Sequence, residues 1–351
     1  MYDLQICERT RVAKKIMEEM FQVKEGETIS ITADSGSRRD VVESLALAAH
    51  AAGGIPLVMQ FPKARDNGQA GILDWPAKAL TAALSESDVW IDAQKRWMLY
   101  SDIFEDTMKR NKNLRYLIIA DSSAESLARV FGKVDVPMLG RLLRKTKELL
   151  ESTHKIHVKT SRGTDVSFET EPLHLIDLDY GDYSKPKFGT APGYVNVVPK
   201  FGSMEGNIVF DRILPLELSS NDHVEFRMER GRIVEFIGNR QSDIMKSYVE
   251  RFNDENMFKI SHMMIGLCPG VREISGDIVE DERVWGGVDF GFGHTSPIDA
   301  PPNGQIAKSH FDGVMEKATI YFDGMEIVKD GSVVQSDLKP IADEILKGVL
   351  K

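Results

Sequence analysis

The sequence predicts two domains of different class: a doubly wound, mostly parallel α/β domain over residues 1–150, then a β-rich α+β domain over residues 151–351. Three observations lead there. Helical and strand patterns alternate through the first half, which implies parallel strands joined by crossover helices. After about residue 153 the period-2 segments instead come in pairs around short turns, the mark of antiparallel hairpins. The 351 residues also suffice for two hydrophobic cores, so the change of pattern reads as a domain boundary.

The elements follow in order. Residues 9–21 carry apolar side chains at helical spacing, and 28–33 is a short apolar strand pattern. Residues 38–52 are rich in Ala and Leu and stop at Gly53-Gly54, as a helix C-terminus does. Residues 55–61 are uncharged and apolar, and read as a buried strand. Helices are expected at 76–84, 101–111 and 136–152, with strands at 89–93 and 117–120. In the second half, 155–159 and 165–169 flank the turn Ser161-Arg162-Gly163-Thr164. Residues 224–227 and 233–237 flank Glu229-Arg230-Gly231-Arg232, and 319–322 and 326–329 flank Asp323-Gly324. Helices are expected at 242–252 and 337–350. There is no internal repeat and no low-complexity tract.

Composition excludes several classes of function. A formal charge of −10 with no compensating basic block argues against a nucleic-acid or anionic-membrane partner. No apolar run approaches the ~18 residues of a membrane span, and the N-terminus lacks a basic start and an apolar signal core. The two cysteines, Cys7 and Cys268, are far apart and form no thiolate zinc motif or disulfide scaffold. Reduced thiols suit a cytoplasmic setting. No GxGxxG or GxxxxGKS loop follows any strand of the first half, so nucleotide binding has no support.

The histidines are more informative. Of the eight, His50 lies in the Ala-rich helix and reads as packed there, while His154, His157, His174 and His223 sit in polar hairpin contexts and read as solvated. His262, His294 and His310 all fall in the last ~90 residues, among glycines and apolar residues. Ser309-His310-Phe311-Asp312-Gly313-Val314-Met315 reads as a strand, in which positions i and i+2 project the same way. His310 and Asp312 then share a face, which is two-thirds of a metal site. His262 lies in the apolar run Ile260-Ser261-His262-Met263-Met264-Ile265-Gly266-Leu267, and a buried histidine needs polar partners. Asp289 and His294 belong to Gly286-Gly287-Val288-Asp289-Phe290-Gly291-Phe292-Gly293-His294, whose glycines permit close backbone approach to a ligand. Purely structural readings exist for each: a hydrogen-bonded core histidine, a capping carboxylate, a loop histidine.

Two imidazoles and a carboxylate suit Fe(II) with open coordination positions, and equally a catalytic zinc with an open water position. The ligand types alone leave both open. A second candidate region is Lys95-Arg96-Trp97-Met98-Leu99-Tyr100, after the strand at 89–93, because doubly wound sheets bind ligands at carboxyl strand ends. Arg96 is a candidate for binding a substrate carboxylate or phenolate, and Trp97 and Tyr100 for stacking on a ring. A helix N-terminus or a domain contact is the structural alternative.

Several segments, in order along the chain, carry a family resemblance. They are Ala191-Pro192-Gly193-Tyr194-Val195, Gly202-Ser203-Met204-Glu205-Gly206-Asn207-Ile208-Val209, Met264-Ile265-Gly266-Leu267-Cys268-Pro269 and the His310/Asp312 segment. Through them the chain resembles the aminopeptidase T group of leucyl aminopeptidases. With Phe252-Asn253-Asp254 and Ile260-Ser261-His262 added, it more closely resembles the 2,5-dihydroxypyridine dioxygenases, iron enzymes on the same scaffold. The resemblance implies metal ligands at His262 and Asp312, a small-molecule substrate, O₂ and a homo-oligomer.

The departures matter as much. Two glutamates that help the peptidases hold a metal pair are replaced by Tyr194 and His262, which moves the set toward two histidines and one aspartate. The dioxygenase serine ligand falls at Gly291, with Asp289 and His294 as nearby substitutes. Histidines that act on the dioxygenase substrate are replaced by Tyr100 and by a residue near Gly189. A phenol is a poor general base at neutral pH, which argues against 2,5-dihydroxypyridine itself as the substrate.

The leading expectation is a mononuclear non-haem Fe(II) enzyme, a ring-cleaving dioxygenase of a small hydroxylated aromatic or N-heterocyclic compound. His262, His310 and Asp312 would be ligands, with Asp289 or His294 completing the shell or adjoining it. Tyr100 and His294 are the candidate catalytic residues, and Arg96, Trp97 and Tyr194 the candidate substrate contacts. The alternative is a zinc- or manganese-dependent hydrolase of amide bonds. A catalytically silent small-molecule binding protein is the third.

Overall fold

The structure, a computed structural model, describes residues 4–120 and 122–349. It divides into two compact units, Met1–Val136 with Asp179–Pro192, and Pro137–Leu178 with Gly193–Lys351. The single crossing expected near residue 150 is therefore replaced by three. The helix Val136–Glu151 belongs almost wholly to the second unit, and the short strand Lys187–Gly189 returns to the first. What draws that strand back is aromatic packing. Phe188 stacks on Tyr116 at 5.8 Å between ring centroids and meets Phe104 edge-on at 5.5 Å.

The first unit carries the predicted parallel sheet. Its strand order is Ile55–Phe61, Thr28–Asp34, Val89–Asp92, Arg115–Ile118, Lys187–Gly189, with every pairing parallel. One expectation fails here. Residues 55–61 read as a buried strand, yet Ile55, Leu57 and Val58 are 58%, 41% and 44% exposed. The strand lies at the sheet edge and pairs on one side only, so its apolar composition does not signal burial.

The central strand Val89–Asp92 is buried at all four positions and ends on a carboxylate. Asp92 accepts hydrogen bonds from Gln94 Nε2, the Met98 amide and the Tyr116 hydroxyl. Burial nevertheless raises its pKa to about 6, against the opposing pull of those bonds.

The second unit is antiparallel. One sheet of eight strands runs Arg232–Gly238, Val224–Glu229, Glu205–Val209, Asp165–Glu169, Lys155–Lys159, Thr319–Phe322, Met325–Lys329, Ser332–Val333. It contains all three predicted hairpins. The other sheet, of six strands, runs Arg212–Ile213, Gln305–Met315, Val288–Thr295, Ile260–Gly266, Tyr194–Val197, Ile176–Asp179. The helices at Arg240–Glu250 and Lys339–Val349 match expectation, with residue 350 outside the described residues. Phe292 and Phe311, directly opposed on neighbouring strands, stack 5.2 Å apart, and Phe226 of the larger sheet meets Phe292 at 5.4 Å. This aromatic layer occupies one face of the six-stranded sheet. Alternation then turns every second residue to the opposite face, where the candidate site is built. Among the described residues no helix is long and apolar enough to cross a membrane.

Asp92 gives a pH test of the first unit. Its protonation contributes stability that is complete below the ordinary carboxylate value of 3.8 and is lost as the pH rises through about 6. The shift corresponds to roughly 3 kcal/mol. Asp92→Asn keeps an acceptor for Met98 and Tyr116 and offers its amide to Gln94 Oε1, which has no partner. Denaturant unfolding of the full chain should show the variant gaining on the parent as pH rises through this window. A difference that stays flat with pH would contradict the assignment.

Candidate metal centre

Three neighbouring strands of the six-stranded sheet supply the site: Ile260–Gly266, Val288–Thr295 and Gln305–Met315. Their register places His262 opposite Gly291 and Gly291 opposite Asp312, one row across three strands. The next row toward the sequence start of the last strand sets Gly293 against His310. The adjoining row on the other side is Met264, Asp289 and Val314. Directly opposed residues share a face, so His262, Asp289, His310 and Asp312 all project to the face away from the phenylalanine layer. A register shift between Ile260 and His262 turns the strand just before the histidine, the kind of bulge that re-aims a side chain.

The donor atoms converge. His310 Nε2 lies 2.9 Å from Asp312 Oδ1, and His262 Nε2 lies 3.7 Å from the same oxygen. All three ligand atoms fall within 4.8 Å of one another, and the two imidazoles stack with centroids 5.2 Å apart. Two donors each about 2.1 Å from a cation and at right angles to one another stand about 3 Å apart, so the 2.9 Å between His310 and Asp312, a hydrogen bond here, is also a separation that a shared cation accepts. Asp289 stands beside the trio, its Oδ2 3.2 Å from His262 Nε2.

Each group is prepared by its surroundings. His310 Nδ1 bonds the His294 backbone carbonyl at 2.9 Å, which makes Nδ1 the N–H donor and turns Nε2 to the site. Burial drops the His262 pKa to about 4, so this imidazole is neutral and free to donate a lone pair. Burial also pulls the His310 pKa down, but the charge and hydrogen bond of Asp312 outweigh it and raise the net value. Burial pulls Asp312 up, but the charge and hydrogen bond of His310 together with His262 and Arg283 outweigh it and lower the net value. Asp289 is pushed well above the ordinary carboxylate range, by burial first and by the charges of Asp312 and Glu282 next.

These residues fit a divalent cation on three counts. Asp289 is 0% exposed and its Oδ1 has no hydrogen-bond partner, a costly arrangement that a cation relieves. Gly291 forms a cradle: a Cβ there would lie 2.3 Å from His262 Cε1 and 2.5 Å from Nδ1. The donors themselves are two imidazoles with one or two carboxylates, a set that suits Fe(II), Zn(II) or Mn(II).

The other predicted residues stand as follows. His294 lends the site its backbone carbonyl, while its ring accepts from the Ala307 amide at 3.4 Å and burial lowers its pKa to about 4. Tyr194 is 2% exposed, its hydroxyl bonds Asp177 at 3.0 Å and its ring lies under the Arg283 guanidinium. A packing role therefore replaces the substrate contact expected of it. Arg96, Trp97 and Tyr100 lie in the first unit, whereas the metal set lies wholly in the second. There the Arg96 amide bonds Asp34, the Trp97 carbonyl accepts from Gly68, and Tyr100 adopts φ = 63°.

Sequence reading missed Glu282. It bonds Arg283, itself 1% exposed, and burial and the charge of Asp312 raise its pKa to about 7. The run Glu280-Asp281-Glu282-Arg283 looks like a solvated face, and only the Gly286-Gly287 turn just beyond it hints that the chain is entering the sheet.

Comparison with known proteins gives a consistent picture. The sequence profile of the 2,5-dihydroxypyridine 5,6-dioxygenase family matches residues 11–335, and the chain belongs to this family. The 2,5-dihydroxypyridine 5,6-dioxygenase of Pseudomonas putida KT2440 is 25% identical over 268 residues, 73% of each chain. The solved 2,5-dihydroxypyridine dioxygenase from Pseudomonas putida KT2440 superposes with a TM-score of 0.78 at 20% identity, covering 95% of this chain and 99% of that one. Wild-type AmpT from Thermus thermophilus superposes at 0.68 with 14% identity, covering 93% and 99%. At these identities the two structures establish a shared fold.

The cradle is directly testable. Gly291→Ala should displace His262 and weaken cation binding by roughly 10- to 100-fold in equilibrium dialysis. Parental affinity in the variant would mean that His262 moves freely and that the glycine has no part in the site.

Proposed function

From this family membership we propose that the chain is a mononuclear non-haem iron enzyme, a ring-cleaving dioxygenase that uses O₂ on a small hydroxylated aromatic or N-heterocyclic substrate. The observation that supports this most is the His262–His310–Asp312 trio, its ligand atoms within 4.8 Å on one sheet face. Bound there, ferrous iron would supply a centre that brings O₂ and an electron-rich ring together. His262, His310 and Asp312 would hold it, and Asp289 would be the fourth donor through its unpartnered Oδ1.

The protein's own contribution is to fix these donors. His294 acts through its carbonyl, holding His310 with Nε2 toward the site. Arg283 offsets the negative charge of Glu282 beside Asp312, and Tyr194 under its guanidinium keeps it in place. One cluster of two imidazoles and two carboxylates, rather than a carboxylate-bridged metal pair, weighs against a dinuclear hydrolase. The Tyr194 position that a glutamate would need is closed by its bond to Asp177. A cytoplasmic setting, suited to cysteines that form no disulfide, and self-association belong to the same proposal.

Fe(II)-loaded protein should consume O₂ when offered a panel of dihydroxylated pyridines and benzenes. His310→Ala or Asp312→Ala should lower the rate at least ~100-fold. Iron-loaded protein with no turnover across the panel, or O₂-independent release of amino acids from peptides, would overturn the reading.

A further inference from the structure

The same sheet face carries another polar residue for which nothing above provides a role. Asn196 lies on the strand Tyr194–Val197, directly opposite Met264, and Met264 is directly opposite Asp289. Opposed residues share a face, so Asn196 projects with Asp289, His262 and Asp312. Relative to His262 it is the diagonal cross-strand neighbour, a separation of about 7–8 Å between side-chain bases that one aromatic ring can bridge. Between them stands Met264, a flexible apolar side chain that suits the flat face of a ring.

Asn196 is half-buried, and its Oδ1 is enclosed without any hydrogen-bond partner. Enclosed carbonyl oxygens without a donor are rare in proteins and mark places where something else supplies one. Among the described residues this face holds two such oxygens, Asn196 Oδ1 and Asp289 Oδ1. Asp289 is accounted for by a cation. Asn196 is a neutral carboxamide and a weak ligand for iron, so its orphan acceptor calls for an N–H or O–H donor instead.

We propose that Asn196 is the substrate-orienting residue of this site, and that its carboxamide pairs with a ring bearing adjacent N–H and C=O groups, the lactam form of a hydroxylated N-heterocycle. A carboxamide presents an acceptor and a donor side by side, and a lactam presents the matching donor and acceptor, so two hydrogen bonds form at one edge. The ring's hydroxyl is left for the metal end of the face. A benzene ring with the same hydroxyl pattern has no N–H at that edge. This inference rests on the dioxygenase reading and adds to it one residue of this chain, Asn196, as the group that reads the N–H/C=O edge of the ring.

The test is anaerobic equilibrium titration of the metal-loaded full chain with 2,5-dihydroxypyridine and with hydroquinone, which matches it in shape but lacks the lactam. The parent should bind the pyridine at least ~10-fold more tightly. Asn196→Ala should weaken pyridine binding by roughly 10- to 100-fold while leaving hydroquinone affinity and metal stoichiometry unchanged. Asn196→Leu, nearly isosteric and without a hydrogen-bonding group, should do the same and guards against a folding defect in the alanine variant. Equal affinities in the parent, or a preference retained in both variants, would overturn the proposal. A parent that binds the metal but neither ring would instead bring down the dioxygenase reading beneath it.

Discussion

The pairing register of three antiparallel strands is the constraint on which the rest of the site depends. Because side chains alternate, the strands that send Phe290, Phe292 and Phe311 into the core must send Asp289, Gly291, His310 and Asp312 to the other face. A slip of one residue would bury the carboxylates among the phenylalanines and expose the rings. The hydrophobic stack of Phe292 on Phe311 therefore fixes the register, and the register fixes which polar groups meet. Gly291 at the centre of the middle strand completes the arrangement, since only the absence of a side chain leaves room for the His262 imidazole.

The electrostatics of the face follow from burying acids together. Asp289, Asp312 and Glu282 repel one another, and without a cation the balance is met by raising Asp289 and Glu282 while His310 carries the charge opposite Asp312. A divalent cation reverses that balance, because its charge favours the ionised carboxylates and the neutral imidazoles. Arg283, buried and paired with Glu282 over the Tyr194 ring, limits the repulsion among these acids.

Much of this is legible in the sequence, and the reasons differ by residue. His310 and Asp312 are two apart in an evident strand, so alternation alone puts them together. His262 requires the resemblance, because no local rule links it to a strand some fifty residues on. Asp289 is visible as an acid inside an apolar glycine-rich run. Glu282 and Asn196 are not visible, the one hidden in a charge run and the other in a strand whose partner only the sheet order reveals. At the level of the fold, the alternating first half and the hairpins of the second follow from periodicity. The edge position of residues 55–61 and the return of Phe188 to the first sheet are tertiary facts without a local signature.

Two side chains of this face have their state set by their surroundings. Tyr194 is tied to Asp177, and burial keeps the His262 imidazole neutral beside Asp312. The central claim is that one iron ion sits on His262, His310 and Asp312. Elemental analysis of the full chain, purified without added metal, tests it most directly. The account predicts iron at about one equivalent per chain, lost when Asp312 is replaced by alanine. Zinc as the resident metal, or two metal equivalents per chain, would contradict it.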